Sequence, residues 1–334
     1  MKILVTGGCG YIGSHNVCEL LDNDYEVVIL DNFSNSDKKV LDKIKQITKK
    51  DFKFYEGNMI DKKLLEKIFS KEKIDAVIDF AAYKAVGESI SKPIEYYTNN
   101  VSTVLVLLDT MRKFNVKKLV FSSSATVYGD PKTVPIKETD PTGETTNPYG
   151  TSKLMVERIL KDTYKADNSW SIGILRYFNP IGAHKSGLIG EDPKGIPANL
   201  MPYIVKVSNK ELPKLNIFGN DYDTKDGTCI RDYIHVVDLA IGHIKMLEQL
   251  EKKNNLYIYN LGTGNGYSVL DIVNAFIKVN KVEVPYEIVE RREGDIKTCF
   301  ADSSKAKKEL GWQATYNIED MCKDSYNFIV KNKN

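Results

Sequence analysis

Lys2-Ile3-Leu4-Val5-Thr6 runs straight into Gly7-Gly8-Cys9-Gly10-Tyr11-Ile12-Gly13, and Ser14 to Leu21 then carries a helical pattern. A short apolar strand, a glycine turn and a helix, in that order, open a dinucleotide-binding βαβ unit. The glycines let the backbone turn sharply and let a pyrophosphate approach the helix N-terminus, where free N–H groups attract anions. Gly7, Gly10 and Gly13 are spaced Gly-x-x-Gly-x-x-Gly rather than Gly-x-Gly-x-x-Gly. Glu26 to Leu30 reads as the second strand, with Asp31 at its end. A carboxylate about 20 residues past the glycines accepts the adenosine ribose hydroxyls and would repel a 2′-phosphate, which favours NAD over NADP.

The pattern repeats outward from there. Lys53 to Tyr55 reads as strand three, with Asn58 placed to meet an adenine edge, and Ile74 to Phe80 as strand four. Ala81-Ala82-Tyr83-Lys84 follows, small residues that permit close backbone approach to a ligand. Asn99-Asn100 opens an apolar helix, Val101 to Met111, and Lys118 to Phe121 forms strand five, capped by Ser122-Ser123-Ser124 at the nucleotide edge. Strands alternating with helices predict a Rossmann-type, doubly wound parallel α/β sheet with its ligand at the carboxyl ends of the strands. After another strand, Ser171 to Tyr177, glycine, proline and asparagine cluster through Pro193–Asn199. This shift divides the chain into an NAD-binding domain, 1–180, and a smaller C-terminal substrate-binding α/β domain, 181–334, some of whose segments pack back on the first. Leu261-Gly262-Thr263-Gly264, after the strand-like Leu256 to Asn260, resembles the opening turn but lacks a third glycine and a following acid, and reads as structural. Ala301 to Lys305 reads as a capped helix start, and Gly311-Trp312 as a stop before the last helix.

Pro148-Tyr149-Gly150-Thr151-Ser152-Lys153 carries the chemistry. Thr151 to Arg158 reads as helix, and residues four apart share a helical face. A phenol has a reference pKa of about 10, and an ammonium on the same face favours its ionised form. Tyr149 and Lys153 therefore make a proton-transfer device for a hydroxyl or carbonyl. One of Ser122, Ser123 and Ser124, just ahead of them at a strand end, is suited to orient a substrate hydroxyl.

A formal net charge of +2 over 334 residues gives no reason to expect nucleic acid or an anionic membrane as partner. The five cysteines are odd in number and scattered without metal-ligand spacing. That usage fits reduced thiols in the cytoplasm, and no metal is expected. The opening apolar run is too short for a signal peptide or a membrane span.

Further blocks carry a resemblance: Lys84-Ala85-Val86-Gly87-Glu88-Ser89, Ser122 to Gly129, Leu175-Arg176-Tyr177-Phe178-Asn179-Pro180, Arg231-Asp232-Tyr233-Ile234-His235 and Arg291-Arg292-Glu293-Gly294-Asp295. With the glycine turn and the Tyr/Lys pair, they resemble the extended short-chain dehydrogenases/reductases, and within them the nucleotide-sugar 4-epimerases, over almost the whole length. The resemblance implies bound NAD, held by Gly7, Gly10, Tyr11, Ile12, Gly13, Asp31, Asn32, Asn35, Ser36, Asn58, Met59, Phe80, Ala81, Ala82, Lys84, Asn99, Ser124, Tyr149, Lys153 and Phe178. It implies a UDP-sugar held by Lys84, Ser124, Tyr149, Asn179, Asn199, Leu200, Asn216, Phe218, Arg231, Arg292, Asp295 and Cys299. The residue types agree, since guanidiniums suit a pyrophosphate and asparagine amides suit uracil. Asn58 departs from the family, which commonly has aspartate facing adenine.

The implied reaction inverts C4 of UDP-glucose and UDP-galactose. NAD+ takes the C4 hydride while Tyr149 takes the hydroxyl proton, the 4-keto sugar turns, and the hydride returns to its other face. Ser124 holds the hydroxyl, and Lys153 bonds the nicotinamide ribose and lowers the Tyr149 pKa. In the family, a small residue at the Cys299 position goes with enzymes that also accept UDP-GlcNAc and UDP-GalNAc. A homodimer is implied through helices near Val101 and Lys153. The rival 4,6-dehydratases need an acid pair beside the catalytic serine or threonine, and here Ser124 is followed by Ala125 and Thr126. A non-catalytic NAD-binding protein would keep the glycines but lose the tyrosine or lysine.

Overall fold

The computed structural model describes residues 1–193, 195–292 and 294–332; Lys194 and Glu293, in stretches quoted above, lie outside the described residues. Its centre is a seven-stranded sheet in the order Leu256–Leu261, Ser171–Tyr177, Lys118–Ser124, Ala76–Asp79, Lys2–Thr6, Glu26–Asp31, Lys53–Glu56. Every pairing is parallel. Alternation along each strand decides which layer is filled. Ile3 and Val5 join Ile29, Ile78 and Leu175 under the helices Tyr11–Asp22 and Val236–Lys252. Leu4 joins Val28, Val77 and Phe121 under Lys62–Glu72, Thr103–Lys113 and Pro148–Ala166 on the other face. With both faces covered, the inner strands read as unbroken apolar runs rather than alternating ones.

Lys2–Thr6 lies between Glu26–Asp31 and Ala76–Asp79, so the winding reverses at the first strand. A crevice opens at such a switch point beyond the carboxyl ends.

Element boundaries move in three informative places. Strand five extends through Ser124, so the three serines belong to the strand end rather than to a cap beyond it. The helix carrying Tyr149 and Lys153 begins at Pro148, because the Asn147 side chain accepts from the Gly150 N–H at 2.9 Å and proline fits the first helical position. Asn99 and Asn100 sit in a π-helical turn, Thr98–Ser102, that continues the short helix Pro93–Tyr97 into Thr103–Lys113.

Beyond residue 181 the chain builds a second core from the helices Leu200–Ser208, Val269–Asn280 and Ile318–Lys331, with short strand pairs beside them. Two later elements return to the first core: Val236–Lys252 packs on Tyr11–Asp22, and Leu256–Leu261 becomes the seventh strand. No helix among the described residues is long and apolar enough to cross a membrane.

Candidate active site

A cavity of about 360 Å³ lies over the carboxyl ends of the sheet. It brings together Gly7, Gly10, Tyr11, Ile12, Gly13, Asp31, Asn32, Asn35, Ser36, Asn58, Met59, Phe80, Ala81, Ala82, Lys84, Asn99, Tyr149 and Lys153 from the expected set. Ser124 and Phe178 do not line it, nor do the expected contacts of the second core.

The glycine turn has the shape that a pyrophosphate requires. Gly7 has φ 67°, and a Cβ on Gly13 would fall 2.2 Å from the Gly7 carbonyl oxygen. Gly10 leaves the helix Tyr11–Asp22 without a side-chain cap, so its first N–H groups face the cavity end unclaimed by a side chain. Asp31 is almost fully buried. Its carboxylate accepts from Cys9 N at 2.9 Å, Phe33 N at 2.8 Å and the Ser36 hydroxyl at 2.9 Å. A carboxylate offers about four acceptor sites, so one is left for a ribose hydroxyl. These residues fit an NAD-type dinucleotide.

Tyr149 occupies the first turn of its helix, and Ser124 ends the neighbouring strand. Burial raises the Tyr149 pKa, and the Ser124 hydroxyl, as hydrogen-bond partner, pulls it back down. The Lys153 ammonium is turned toward the sheet: it donates to the Ser122 carbonyl at 2.7 Å and the Ser122 hydroxyl at 3.3 Å, and lies 4.8 Å over the Phe121 ring. Its pKa is lowered to about 8 by burial, against the attraction of Asp79. In this arrangement the lysine acts on Ser122 and Asp79, and it is Ser124 that offsets part of the burial-driven rise in the phenol's pKa. An ammonium has three donors, so one N–H remains for a ligand.

Sequence reasoning missed several neighbours. Glu191 accepts from Lys84 Nζ at 2.7 Å and from Asn199 Nδ2 at 3.0 Å, joining two expected sugar contacts from opposite cores. Asn100 Nδ2 donates to the Tyr83 carbonyl and to the Ser152 hydroxyl, both at 3.0 Å, pinning the loop after strand four to the catalytic helix. Tyr177 lines the cavity, and Asp79 lies buried at a strand end. Strand-end position, the signal that exposed Asp31, was available for these last two.

The remaining expected sugar contacts stand outside the cavity lining. Asn179 opens the strand Asn179–Ile181, and Asn199 precedes the helix Leu200–Ser208. Arg231 pairs in register with Cys299, and Asn216 and Phe218 share the strand Leu215–Phe218. Arg292 donates to Asp295 at 2.9 and 3.2 Å and stacks 5.3 Å over the Phe218 ring. Cys299 is buried among Ala125, Tyr128, Phe178 and Ala301, beside the turn that follows Ser124. The turn Gly262-Thr263-Gly264 is tied internally: Asp232 accepts from Thr263 N at 2.8 Å and Gly264 N at 3.0 Å. At the helix Ser304–Leu310, within the expected capped start, Asp302 accepts from Ser304 N, while Ser303 makes no capping bond and donates to the Gly262 carbonyl.

A doubly wound sheet with a glycine cradle and a Tyr/Lys pair over one cavity defines an extended short-chain dehydrogenase/reductase. Comparison with known proteins narrows this. Residues 4–325 match the family model described as GDP-mannose 4,6 dehydratase. The chain is 60% identical to a UDP-glucose 4-epimerase of Haemophilus influenzae, covering 99% of this chain and 98% of that protein. It is 57% identical to one of Bacillus subtilis, covering 100% and 98%. A crystal structure of UDP-glucose 4-epimerase from Bifidobacterium longum in complex with NAD+ and UDP matches with a TM-score of 0.97 and 56% identity, covering 100% and 99%. The chain belongs to the UDP-glucose 4-epimerase family.

Proposed function

We propose that this protein is an NAD-dependent epimerase that inverts C4 of UDP-hexoses through a transient 4-keto sugar. The observation that carries the reading is that Tyr149, partnered by Ser124 at the neighbouring strand end, and Lys153 line one cavity with the glycine cradle. Bound NAD+ supplies a reversible hydride acceptor for the sugar C4. Ser124 holds the C4 hydroxyl, and Tyr149 takes its proton and later returns it to the ketone oxygen from the same position. The phenol stands at the positive end of its helix, which favours the phenolate. Lys153 keeps a fixed positive charge beside the reacting groups and offers its third N–H to the nicotinamide ribose.

A dehydratase would need an acid beside Ser124. There the chain places the Ala125 methyl and the Thr126 hydroxyl, which donates to Ser124 Oγ at 3.0 Å. Arg231, Arg292 and Asn199 are assigned to the UDP group, as their charge and amide chemistry supports. The small Cys299 side chain supports acceptance of UDP-GlcNAc and UDP-GalNAc too. Exposed Ile90, Ile94, Leu105 and Met155 on neighbouring helices support a homodimer through that face. Five free, buried cysteines support a reducing, cytoplasmic setting.

Coupled assays with UDP-glucose, UDP-galactose, UDP-GlcNAc and UDP-GalNAc test the reading. Interconversion within each pair, without added reductant or oxidant, is expected. Loss of water from the sugar, or no turnover of any of the four, overturns it.

A further inference from the structure

Ser124 ends its strand in extended backbone and opens the short helical turn Ala125–Tyr128. Its hydroxyl oxygen accepts twice from one residue, from Thr126 N at 3.2 Å and from Thr126 Oγ1 at 3.0 Å. A hydroxyl has one hydrogen to give and two lone pairs to receive with. Both lone pairs of Ser124 are therefore taken within the chain, and only its hydrogen is left for the pocket.

The turn that carries Thr126 is held from two sides. Two residues on, the Tyr128 hydroxyl accepts from Arg176 Nη1 at 2.8 Å and donates to Asn260 Oδ1 at 2.7 Å. Opposite stands the helix Pro148–Ala166. A Cβ on Gly150, the residue after Tyr149, would fall 3.1 Å from the Thr126 carbonyl oxygen and 3.2 Å from Thr126 Cβ and Oγ1. That is closer than side chains normally pack, so the bare glycine is what lets Thr126 sit against the first turn of the helix, beside Tyr149. Thr126 thus binds the serine at the strand end and lies against the helix that carries the phenol. The reaction above makes no use of its hydroxyl.

We propose that Thr126 is a positioning residue for the epimerase reaction: by filling both lone pairs of Ser124 it makes that serine a donor only, which holds the sugar's C4 oxygen and cannot relay a proton from it. The proposal rests on the epimerase reading. With Ser124 donating to the C4 oxygen, the hydrogen on that oxygen has Tyr149 as its acceptor. The O–H bond at C4 then breaks directly toward the phenolate oxygen, the C4 hydrogen leaves with its electron pair for bound NAD+, and C4=O remains. Ser124 donates to the same oxygen before and after, so the ketone stays held while the proton waits on Tyr149. A serine with a free lone pair can instead accept the sugar's hydrogen and turn its own toward Tyr149. It then gives up its hold on the C4 oxygen. The Thr126 hydroxyl closes that second orientation.

Neutron diffraction from deuterium-exchanged crystals of the NAD complex reads the hydroxyl directions. Expected are the Thr126 deuterium between its Oγ1 and Ser124 Oγ, and the Ser124 deuterium turned away from Thr126. A Ser124 deuterium lying on Thr126 Oγ1 refutes the donor-only serine whichever sugar is turned over. In turnover of UDP-galactose, Thr126→Val keeps the side-chain shape and removes the hydroxyl. Its kcat should fall about 2–10-fold, the range for one hydrogen bond, with KM changed less, and Thr126→Ser should restore it. In a Ser124→Ala background, Thr126→Val should cost nothing further, because no serine is left to orient. An equal loss in both backgrounds marks a merely structural role and refutes the proposal, as does a Thr126→Val enzyme with wild-type kcat. Thr126→Ala takes the place of the valine variant in the same comparison if the latter loses NAD on purification. Absence of turnover in the wild type would fault the epimerase reading instead, leaving the deuterium positions to decide the direction of the serine.

Discussion

Replacing Arg176 by methionine should destabilise the protein by several kcal/mol and loosen the catalytic helix. Arg176 Nε donates to Glu157 Oε1 at 2.9 Å and Nη2 to Oε2 at 2.6 Å, a two-pronged grip on one carboxylate. Nη1 donates to the Tyr128 hydroxyl at 2.8 Å, and Ser123 Oγ donates to the same carboxylate at 2.6 Å. Arg176 is 1% exposed and Glu157 0%. Glu157 lies one helical turn beyond Lys153, and Arg176 pairs in register with Ser123. The ion pair therefore joins the helix carrying Tyr149 and Lys153 to the strand ending in Ser124. Arg176→Met strands the carboxylate with the Ser123 hydroxyl and with Lys161, 3.7 Å away. Breaking a buried pair from one side costs about 3–5 kcal/mol. With an unfolding entropy of about 2.1 cal/mol/K per residue, a chain of this length loses roughly 4–7 °C in Tm. The assay is thermal unfolding by circular dichroism, with saturating NAD for every variant. Adding Glu157→Leu to Arg176→Met removes the stranded charge and should recover half the loss or more, because apolar replacement of a buried pair is often neutral or favourable. A single variant within about 1 °C of wild type, or a double variant less stable than the single, would refute the reasoning.

Tyr149→Phe should keep its fold and NAD but lose about 10²–10⁴-fold in kcat; near-normal turnover removes the phenol from the mechanism. Gly13→Ala places a methyl carbon 2.2 Å from the Gly7 oxygen and should purify without nucleotide, whereas denatured wild type should release NAD and no NADP, read by chromatography. In the proposed mechanism activity depends on the Lys153 ammonium, which the neighbouring Asp79 charge favours against burial. Asp79→Asn should therefore deprotonate the lysine at lower pH and move the alkaline limb of kcat down from near pH 8; an upward shift would reverse the assignment. Cys299→Tyr fills space beside the turn after Ser124 and should abolish UDP-GalNAc turnover while sparing UDP-galactose, since overpacking costs about 1–3 kcal/mol; equal loss of both contradicts a size filter.

The parts of the site legible in the sequence are those whose chemistry is local. Strand, glycine turn and helix are contiguous, Asp31 follows at a fixed distance, and Tyr149 and Lys153 meet because a helix turns every 3.6 residues. Glu191 meets Lys84 across 107 positions, and His243 meets Tyr177 across 66. No periodicity records such meetings; the tertiary fold makes them. The expected sugar contacts Arg231 and Cys299 stand on strands of two residues, too short to show a period, so they are readable only through family motifs.

The two glycine turns show what local pattern leaves undecided. Both follow a strand, and both expose backbone N–H groups. At Gly262-Thr263-Gly264 the fold itself delivers an anion, the Asp232 carboxylate, which takes N–H groups from Thr263, Gly264 and Ala301. At Gly7 to Gly13 the Asp31 carboxylate takes only Cys9 N from the turn, and Gly10 supplies no cap to the helix behind it. A glycine turn is free to bind a diphosphate where the chain has not already spent its donors on a side chain. That distinction rests on a residue 30 or more positions away, Asp232 relative to Thr263, and it separates the cofactor cradle from its structural counterpart.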